Sequence, residues 1–203
     1  MRADIRFWTA IIVIGICAFS VVRGLSIVRF SLAMATTSSS RAETIRLWAT
    51  VPGVGATALQ SKLTEKINSS DLQAANSRRE TLAAILSVAP LSSPNWLSLS
   101  GMYLVTDQPM EQVLGALMLS MVTGPNEGYL MGERGIFGVS LWEDLSPDLK
   151  RHVGMDLAAE EILKNGKFRD VLSTKSEGVR SEVRSAMLAT GLAPKEVERR
   201  LGF

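Results

Sequence analysis

Residues 96–125, WLSLSGMYLVTDQPMEQVLGALMLSMVTGP, decide the fold. Large and small residues recur in this stretch at intervals of three, four and seven, which is the spacing of one helix face. The positions are Trp96, Leu99, Ser100 and Tyr103 in the first half and Val113, Leu117, Ser120 and Pro125 in the second. Two short helices that fold back on each other use such residues to pack, because large side chains fill the space between them and small ones let the backbones approach. The sequence therefore predicts a helical hairpin here.

The first half of the stretch repeats the W-x-x-L-G-x-x-Y spacing of a tetratricopeptide unit, with Ser100 in place of the glycine. The stretch resembles one repeat of the tetratricopeptide family. Pro90 and Pro125 lie about one repeat period apart, and Gly135 falls where the small residue of the next unit belongs. The resemblance covers residues 72–163, with one clear repeat between two degenerate ones. It implies an all-α array of antiparallel helical hairpins, which the helices near the C-terminus cap.

Cap residues predict where several of these helices begin. Small polar side chains accept hydrogen bonds from the first free N–H groups of a helix, and proline suits its first turn. The expected caps are Asp71, Ser93 followed by Pro94, Asp107 followed by Pro109, and Ser146 followed by Pro147. We therefore expect a new helix to begin at each of these four places.

The N-terminal segment of residues 7–22, FWTAIIVIGICAFSVV, carries no charge. A spanning helix needs about 20 apolar residues, and Arg6 and Arg23 can extend along the helix to reach the headgroups. We predict a single transmembrane helix. A cleaved signal peptide is the alternative, since Ala33-Met34-Ala35 has the small-x-small form that signal peptidase accepts. Arg23 and Arg29 stand between the apolar segment and that position and argue against cleavage.

Two interpretations of the residues after Arg23 stay open. The apolar positions continue at helical spacing, so the helix either simply continues or leaves the bilayer and lies against its surface. Basic residues flank the span almost equally, so the positive-inside rule hardly distinguishes the two orientations. We expect the N-terminus in the cytoplasm and the soluble domain in the periplasm, at a bacterial inner membrane. The predicted divisions are a membrane anchor with a juxtamembrane helix (1–35), a linker (36–52) and a helical domain with capping helices (53–203).

The charge balance disfavours nucleic-acid binding. Residues 1–40 hold four of the 22 basic and one of the 20 acidic residues, so the remainder has 18 basic and 19 acidic side chains. Phosphate neutralisation needs a concentrated basic face. His152 is the only histidine and Cys17, inside the predicted span, the only cysteine. No catalytic residue, metal site or cofactor is predicted.

Glycines in two places have alternative explanations. Gly132, Gly135 and Gly138 recur at three-residue spacing, which favours close helix packing over a phosphate-binding loop, since no G-x-G-x-x-G or G-K-[ST] pattern accompanies them. Gly53-x-Gly55 before a helix has the form of an anion site made of backbone N–H groups. A Pro-Gly turn also explains that pair fully.

The residues expected to bind a partner lie on the first helix of the hairpin. The inner surface of tetratricopeptide arrays is lined by that helix, which here presents Leu97, Gly101, Leu104 and Val105. Family members that clamp a C-terminal carboxylate carry basic and amide groups there, and this sequence does not. The resemblance implies an apolar groove, which is either filled by the chain's own flanking helices or open to another envelope protein or to a second copy.

The sequence suggests two classes of function, a scaffold and an enzyme, and self-association of the domain through its apolar groove is a third possibility. APLSSPNWLSLSGM (89–102) and TGPNEGYLMGERG (123–135), after a single span, resemble small accessory proteins of bacterial polysaccharide assembly. That likeness implies a membrane-anchored, non-enzymatic scaffold. The alternative is an envelope enzyme acting on a glycan, with Trp142 as a sugar platform. Its carboxylates would come from Glu127, Glu133, Glu143 or Asp144, two of them about 5 to 10 Å apart.

Overall fold

The computed structural model of the chain describes residues 2–36, 41–51, 54–63, 72–159 and 166–202. All the regular structure in these ranges is helical, so the prediction of an all-α fold is confirmed. The α-helices are α1 (Arg2–Thr36), α2 (Arg41–Ala49), α3 (Gly55–Lys62), α4 (Leu72–Val88), α5 (Ser93–Val105), α6 (Met110–Thr123), α7 (Gly128–Ser140), α8 (Pro147–Leu157), α9 (Lys167–Ser173), α10 (Glu177–Leu188) and α11 (Pro194–Leu201). A single 3₁₀ turn, Trp142–Asp144, links α7 to α8.

The helices group into two compact units, Met1–Pro90 with α1 to α4 and Leu91–Phe203 with α5 to α11. The division between these units falls at Pro90, and the domain boundaries drawn from the sequence, 1–35, 36–52 and 53–203, stay a prediction. Part of the predicted linker is helical, since α2 lies within it. The apolar residues of α2 were visible in the sequence, but nine residues with a following Pro-Gly turn are too few to predict a helix from periodicity.

Helix α1 has 35 residues. Its part from Phe7 to Ala35 is long and apolar enough to span a membrane. Its side chains from Phe7 to Leu25 are exposed. The hydroxyls of Ser20 and Ser26 donate to the carbonyls four residues earlier, at 2.8 and 2.9 Å, which satisfies them without a partner outside the helix. The helix continues past Arg23 without a break, and whether its second half lies against the membrane surface stays a prediction.

The last turns of α1 pack against α2 and α3. Phe30 is 4% exposed and joins Val54 and Ala58, both fully buried, in a small apolar cluster. The ring of Trp48 lies 5.9 Å from that of Phe30, centroid to centroid. Gly55 permits this arrangement because a Cβ there would collide with the carbonyl oxygen of Ala49. The last turns of α1 are thus part of the core of the first unit.

In the second unit, α5 and α6 form the predicted hairpin. Their register is antiparallel: Ser100 Oγ donates to the Val113 carbonyl at 2.6 Å, and Ser93 Oγ donates to the Ser120 carbonyl at 2.6 Å. Ser93, Ser100 and Ser120 are fully buried. The serines that replace the family's glycine and alanine therefore keep the helices close and also join them through hydrogen bonds.

Two of the predicted caps are wrong and one is confirmed. Ser92, not Ser93, is the N-cap of α5, because the Ser93 hydroxyl bonds across to α6. Pro109 precedes α6, and Asp107 instead takes a left-handed backbone conformation, φ 53°, in the turn. Ser146 caps α8 and accepts from the Leu149 N–H. The expected cap at Asp71 lies outside the described residues.

The main core of the second unit draws on every helix from α6 to α11. Its most buried members, at most 1% exposed, are Val113, Leu117, Val139, Trp142, Val153, Leu157, Phe168, Val183, Met187 and Val197. Helices α7 and α8 approach closely at two glycines: a Cβ on Gly138 would collide with Val153, and one on Gly135 would lie 2.9 Å from Leu157 Cδ2. The prediction that these glycines serve helix packing is confirmed.

Candidate functional site

The four residues predicted to bind a partner have different environments. Leu97 is half-buried and packs against the main core. Leu104 is 39% and Val105 50% exposed, at the C-terminal end of α5. Gly101 is half-buried, and among the described residues nothing lies within 4 Å of the place its Cβ would take. The chain itself therefore partly covers Leu97, whereas Gly101, Leu104 and Val105 border open space.

Helix α6 presents a longer exposed apolar surface, which sequence reasoning missed. Met118, Leu119 and Val122 are 44%, 41% and 67% exposed, and Gly115 between the helix ends is exposed as well. Their spacing of three, four and seven puts them on one face of α6. We call Gly115, Met118, Leu119 and Val122 the α6 stripe. The sequence signal was present, because residues 112–126 contain no charge.

The α6 stripe has the composition of a helix-binding surface. A glycine in a helix interior is less favourable than alanine by about 1 kcal/mol, so its presence at Gly115 calls for a reason. No described residue comes within 4 Å of the place a Cβ on Gly115 would take, so the chain's own packing does not supply that reason. A missing side chain beside exposed large residues lets the backbone of a second helix approach.

A buried ion pair lies behind the hairpin, and sequence reasoning missed it too. Arg134 of α7 is fully buried and Asp156 of α8 is 4% exposed. Arg134 Nε donates to one carboxylate oxygen of Asp156 and Nη2 to the other, each at 2.9 Å. Such a two-point pair has the geometry that arginine and carboxylate favour.

The third guanidinium nitrogen of Arg134 joins α7 to the hairpin. Arg134 Nη1 donates to the carbonyls of Ser120, at 3.0 Å, and Gly124, at 2.8 Å, and lies 3.4 Å from Ser93 Oγ. The last carbonyls of a helix lack intrahelical partners and carry partial negative charge. Arg134 therefore caps the C-terminal end of α6 and connects four helices through one side chain.

The charges and hydrogen bonds of Arg134 and Asp156 hold helices together. Burial raises the pKa of Asp156 above its usual value, and the hydrogen bonds and charge of Arg134, with a smaller effect of His152, oppose that rise. Neither side chain reaches solvent, and all three guanidinium nitrogens donate hydrogen bonds within the protein. The pair positions helices and offers no surface to a substrate.

Trp142 lies in the core and not on a sugar-binding surface. It is 1% exposed, so its predicted role as a sugar platform is wrong. Its Nε1 donates to Glu182 Oε2 at 2.9 Å, and Lys150 Nζ donates to the same oxygen at 2.7 Å while lying 5.4 Å from the ring centroid. These residues border a shallow depression of about 380 Å³. Hydrogen bonds from Lys150 and Trp142, with the charge of Lys150, lower the pKa of Glu182.

The carboxylates named for the glycan enzyme are mostly exposed. Glu133, Glu143 and Asp144 are exposed and Glu127 is half-buried. Glu143 lies 3.7 Å from Lys175 in an open ion pair. A glycan-cleaving site of two carboxyls needs at least one that is largely desolvated, and the exposed side chains of Glu133, Glu143 and Asp144 are solvated. His152 donates from Nδ1 to the Asp148 carbonyl of its own helix at 2.8 Å.

Comparison with protein-family models, with curated proteins and with solved structures finds no match for this chain. The tetratricopeptide resemblance accordingly rests on the residues of the hairpin itself. The α6 stripe, the exposed end of α5 and the apolar helix α1 are the described features that bear on function.

Proposed function

We propose that this protein is a membrane-anchored, non-enzymatic scaffold that binds an apolar helix of another envelope protein. The observation that carries the proposal is the uncharged, exposed α6 stripe on a domain whose own core is already complete. Exposed apolar surface of this kind marks interaction sites on soluble domains. The exposed end of α5, with Gly101, Leu104 and Val105, extends the candidate surface to the first helix of the hairpin.

The chemistry of the surface favours a helix as the partner. An extended peptide needs a sheet edge or a groove with exposed backbone groups, and the backbone of α6 is already hydrogen-bonded within the helix. Met118 and Leu119 lie one turn after Gly115, on the face that a second helix would contact. The stripe itself carries no charged or amide side chain, although the exposed Glu111 and Gln112 border it one turn before Gly115, so shape and apolar area decide recognition along its length.

The cellular setting forms part of the proposal. The apolar helix α1 supports a single-pass anchor. The resemblance of residues 89–102 and 123–135 to accessory proteins of polysaccharide assembly supports a bacterial inner membrane, a periplasmic domain and a role in polysaccharide biosynthesis or export. A tetratricopeptide-like array in the second unit belongs to the same proposal and is supported by the serine-linked α5–α6 hairpin.

Photocrosslinking in native membranes tests the scaffold proposal. A photoreactive residue at Met118, 44% exposed, is expected to give a discrete adduct with a different protein, mapped by mass spectrometry to a helix of that protein. The same residue at Leu117, one position away and fully buried, is the matched control and is expected to give none. The adduct should disappear when Gly115→Leu fills the approach surface.

The remaining outcomes count against the proposal. Adducts formed only between copies of this chain would replace the scaffold with self-association through the same stripe. Equal labelling from Met118 and Leu117, or an adduct that survives Gly115→Leu, would show that capture does not depend on the stripe and would refute the proposed docking surface.

A further inference from the structure

A second surface with binding character lies in the first unit, at the end of the apolar part of α1. A cavity of about 440 Å³ opens there between α1, the end of α2, the first turn of α3 and the end of α4. Its walls include Arg23, Ala49, Val51, Ala56 and Val88. A volume of this size is in the range of small-ligand sites, roughly 300 to 1,000 Å³.

Arg23 gives the cavity its charge. It is the one charged residue among those that line the cavity, and no ion pair or side-chain hydrogen bond joins it to another described residue. The other lining residues are small or apolar, apart from Thr50. The hydroxyl proton of Thr50 is directed to the Leu47 carbonyl, at 3.3 Å. A positive group beside an apolar wall, with no acidic partner among the residues that the structure describes, suits an amphipathic anion.

The position of Arg23 along the helix indicates the source of that anion. It directly follows the uncharged residues 7–22, so if these residues form the spanning part of α1, Arg23 lies where the lipid phosphates begin. Arginine side chains at this depth reach toward the headgroups. The guanidinium fork matches the geometry of a phosphate, and the apolar walls match the glycerol backbone and the upper acyl chain.

We infer that this cavity binds the phosphate of a phospholipid from the membrane that α1 spans. The inference rests on the proposed membrane anchoring and adds a defined lipid site to it. Arg23 contacts the phosphate, and Ala56 and Val88 form apolar walls against the glycerol backbone and the upper acyl chain. The site holds the first unit at a fixed depth against the bilayer surface.

Arg29 provides the internal comparison. It lies on the same helix, is exposed, and does not line the cavity. Any effect that arises from positive charge near the headgroups in general is shared by both arginines. An effect of the cavity belongs to Arg23 alone, so the pair of variants Arg23→Gln and Arg29→Gln separates the two.

The test is native mass spectrometry of the full chain released from detergent micelles in the presence of dioleoylphosphatidylglycerol. Wild-type chain and Arg29→Gln are expected to retain one lipid. Arg23→Gln is expected to bind it about tenfold more weakly, the effect of losing one charged hydrogen-bonded contact. Ala56→Phe, which fills the cavity while Arg23 remains, is expected to weaken binding to a similar extent.

Each other outcome overturns the inference. Equal binding by wild type and Arg23→Gln, or equal loss in both arginine variants, would leave no role for the cavity. Displacement of the lipid by millimolar inorganic phosphate alone would assign the site to a free anion. Extraction of membranes with alkaline carbonate separates this result from failure of the anchor: release of the wild-type chain would refute the anchor, whereas retention without a bound lipid would refute the cavity site alone.

Discussion

Arg134 and Asp156 pair through two parallel hydrogen bonds of 2.9 Å at a place that solvent does not reach. They lie on neighbouring helices, α7 and α8, and Arg134 also binds the end of α6. Breaking one side of a buried pair leaves the other charge without compensation, which costs more than the pair contributes while intact. The stability of the second unit is therefore expected to depend on both residues together.

The first prediction concerns this pair. Asp156→Asn leaves the Arg134 charge buried and is expected to lower the free energy of unfolding by about 3 to 5 kcal/mol. Asp148→Asn, which breaks an exposed ion pair with Arg151 on the same helix, is expected to cost less than about 1 kcal/mol. Urea unfolding of the full chain in micelles, followed through the indole N–H resonance of Trp142, measures both.

A double variant checks the cause of that loss. Arg134→Met with Asp156→Leu removes both charges and keeps apolar volume, so it is expected to recover much of the stability that Asp156→Asn loses. A double variant that is less stable than Asp156→Asn would show that the hydrogen bonds to Ser120 and Gly124, and not charge compensation, dominate.

The second prediction contrasts two glycines. Gly138→Ala would place a Cβ against Val153 and is expected to cost about 1 to 3 kcal/mol of stability, which Val153→Ala in the same chain should partly restore. Gly115→Ala has open space and is expected to stabilise α6 by about 0.5 to 1 kcal/mol. It should at the same time reduce the Met118 adduct. Gly115→Ala that stabilises the chain and leaves the adduct unchanged would contradict close helix docking.

The third prediction follows from the pKa of Glu182. Because Lys150 and Trp142 bind its ionised form, the pKa of this carboxyl in the folded protein lies below its ordinary value of 4.5. Its contribution to stability is therefore present above pH 4.5 and is lost as the pH falls through the lowered pKa. The indole N–H chemical shift of Trp142 should follow the protonation of Glu182.

Lysine variants test the assignment of that titration. Lys150→Met is expected to move the midpoint back toward 4.5, because the largest of the effects that lower the pKa is removed. Lys195→Met, an exposed lysine on α11, is the control and should leave it unchanged. An indole resonance that does not titrate below pH 4.5 in the wild-type chain would contradict the hydrogen bond.

The fourth prediction compares two adjacent arginines of α11. Arg200 is 5% exposed, and its Nη1 donates to the carbonyls of Ala158, at 2.9 Å, and Ala159, at 2.6 Å, beyond the end of α8. Arg200→Met leaves these carbonyls without that donor and is expected to cost about 2 kcal/mol. Arg199→Met removes an exposed side chain from the same turn and is expected to cost under about 1 kcal/mol by the same unfolding measurement. Equal losses of stability in Arg200→Met and Arg199→Met would show that the hydrogen bonds from Arg200 to the end of α8 contribute little.

The hairpin was predictable from the sequence because its signal is local. Trp96, Leu99, Ser100 and Tyr103 lie within eight residues, and their spacing alone defines a helix face. The glycines of α7 were predictable for the same reason, since three of them at helical spacing indicate a helix without side chains on one face. In both cases neighbouring residues along the chain carry the whole pattern.

The Arg134 cluster was not predictable because its members are distant in sequence. Asp156 lies 22 residues from Arg134 and Ser93 lies 41 residues from it. An arginine between glycines has the appearance of a solvated residue, and no local pattern distinguishes a buried one. The predicted role of Trp142 was wrong for a related reason. A lone tryptophan near acidic residues is equally compatible with a sugar-binding surface and with a buried position, and here it is buried in a core to which α8 and α10 contribute.

The α6 stripe was missed for a different reason. The family resemblance directed attention to the first helix of the hairpin, whose Leu97 is covered by the core. The uncharged run of residues 112–126 was visible, but exposure depends on what the other helices cover. Only the packed structure shows that Met118 and Val122 remain uncovered while Leu117 and Met121 do not.

The packing of Phe30 against Val54 and Ala58 has a consequence for biogenesis. Helix α1 precedes α2 and α3 in the chain, so its last turns find their contacts only after those two helices have been synthesised. Proteolytic processing after Ala35 would remove Phe30 together with Ile27 and Met34 and would expose Val54 and Ala58, which are otherwise fully buried. The first unit therefore keeps its complete core only where α1 is retained, and a form cleaved after Ala35 would be released with part of that core missing.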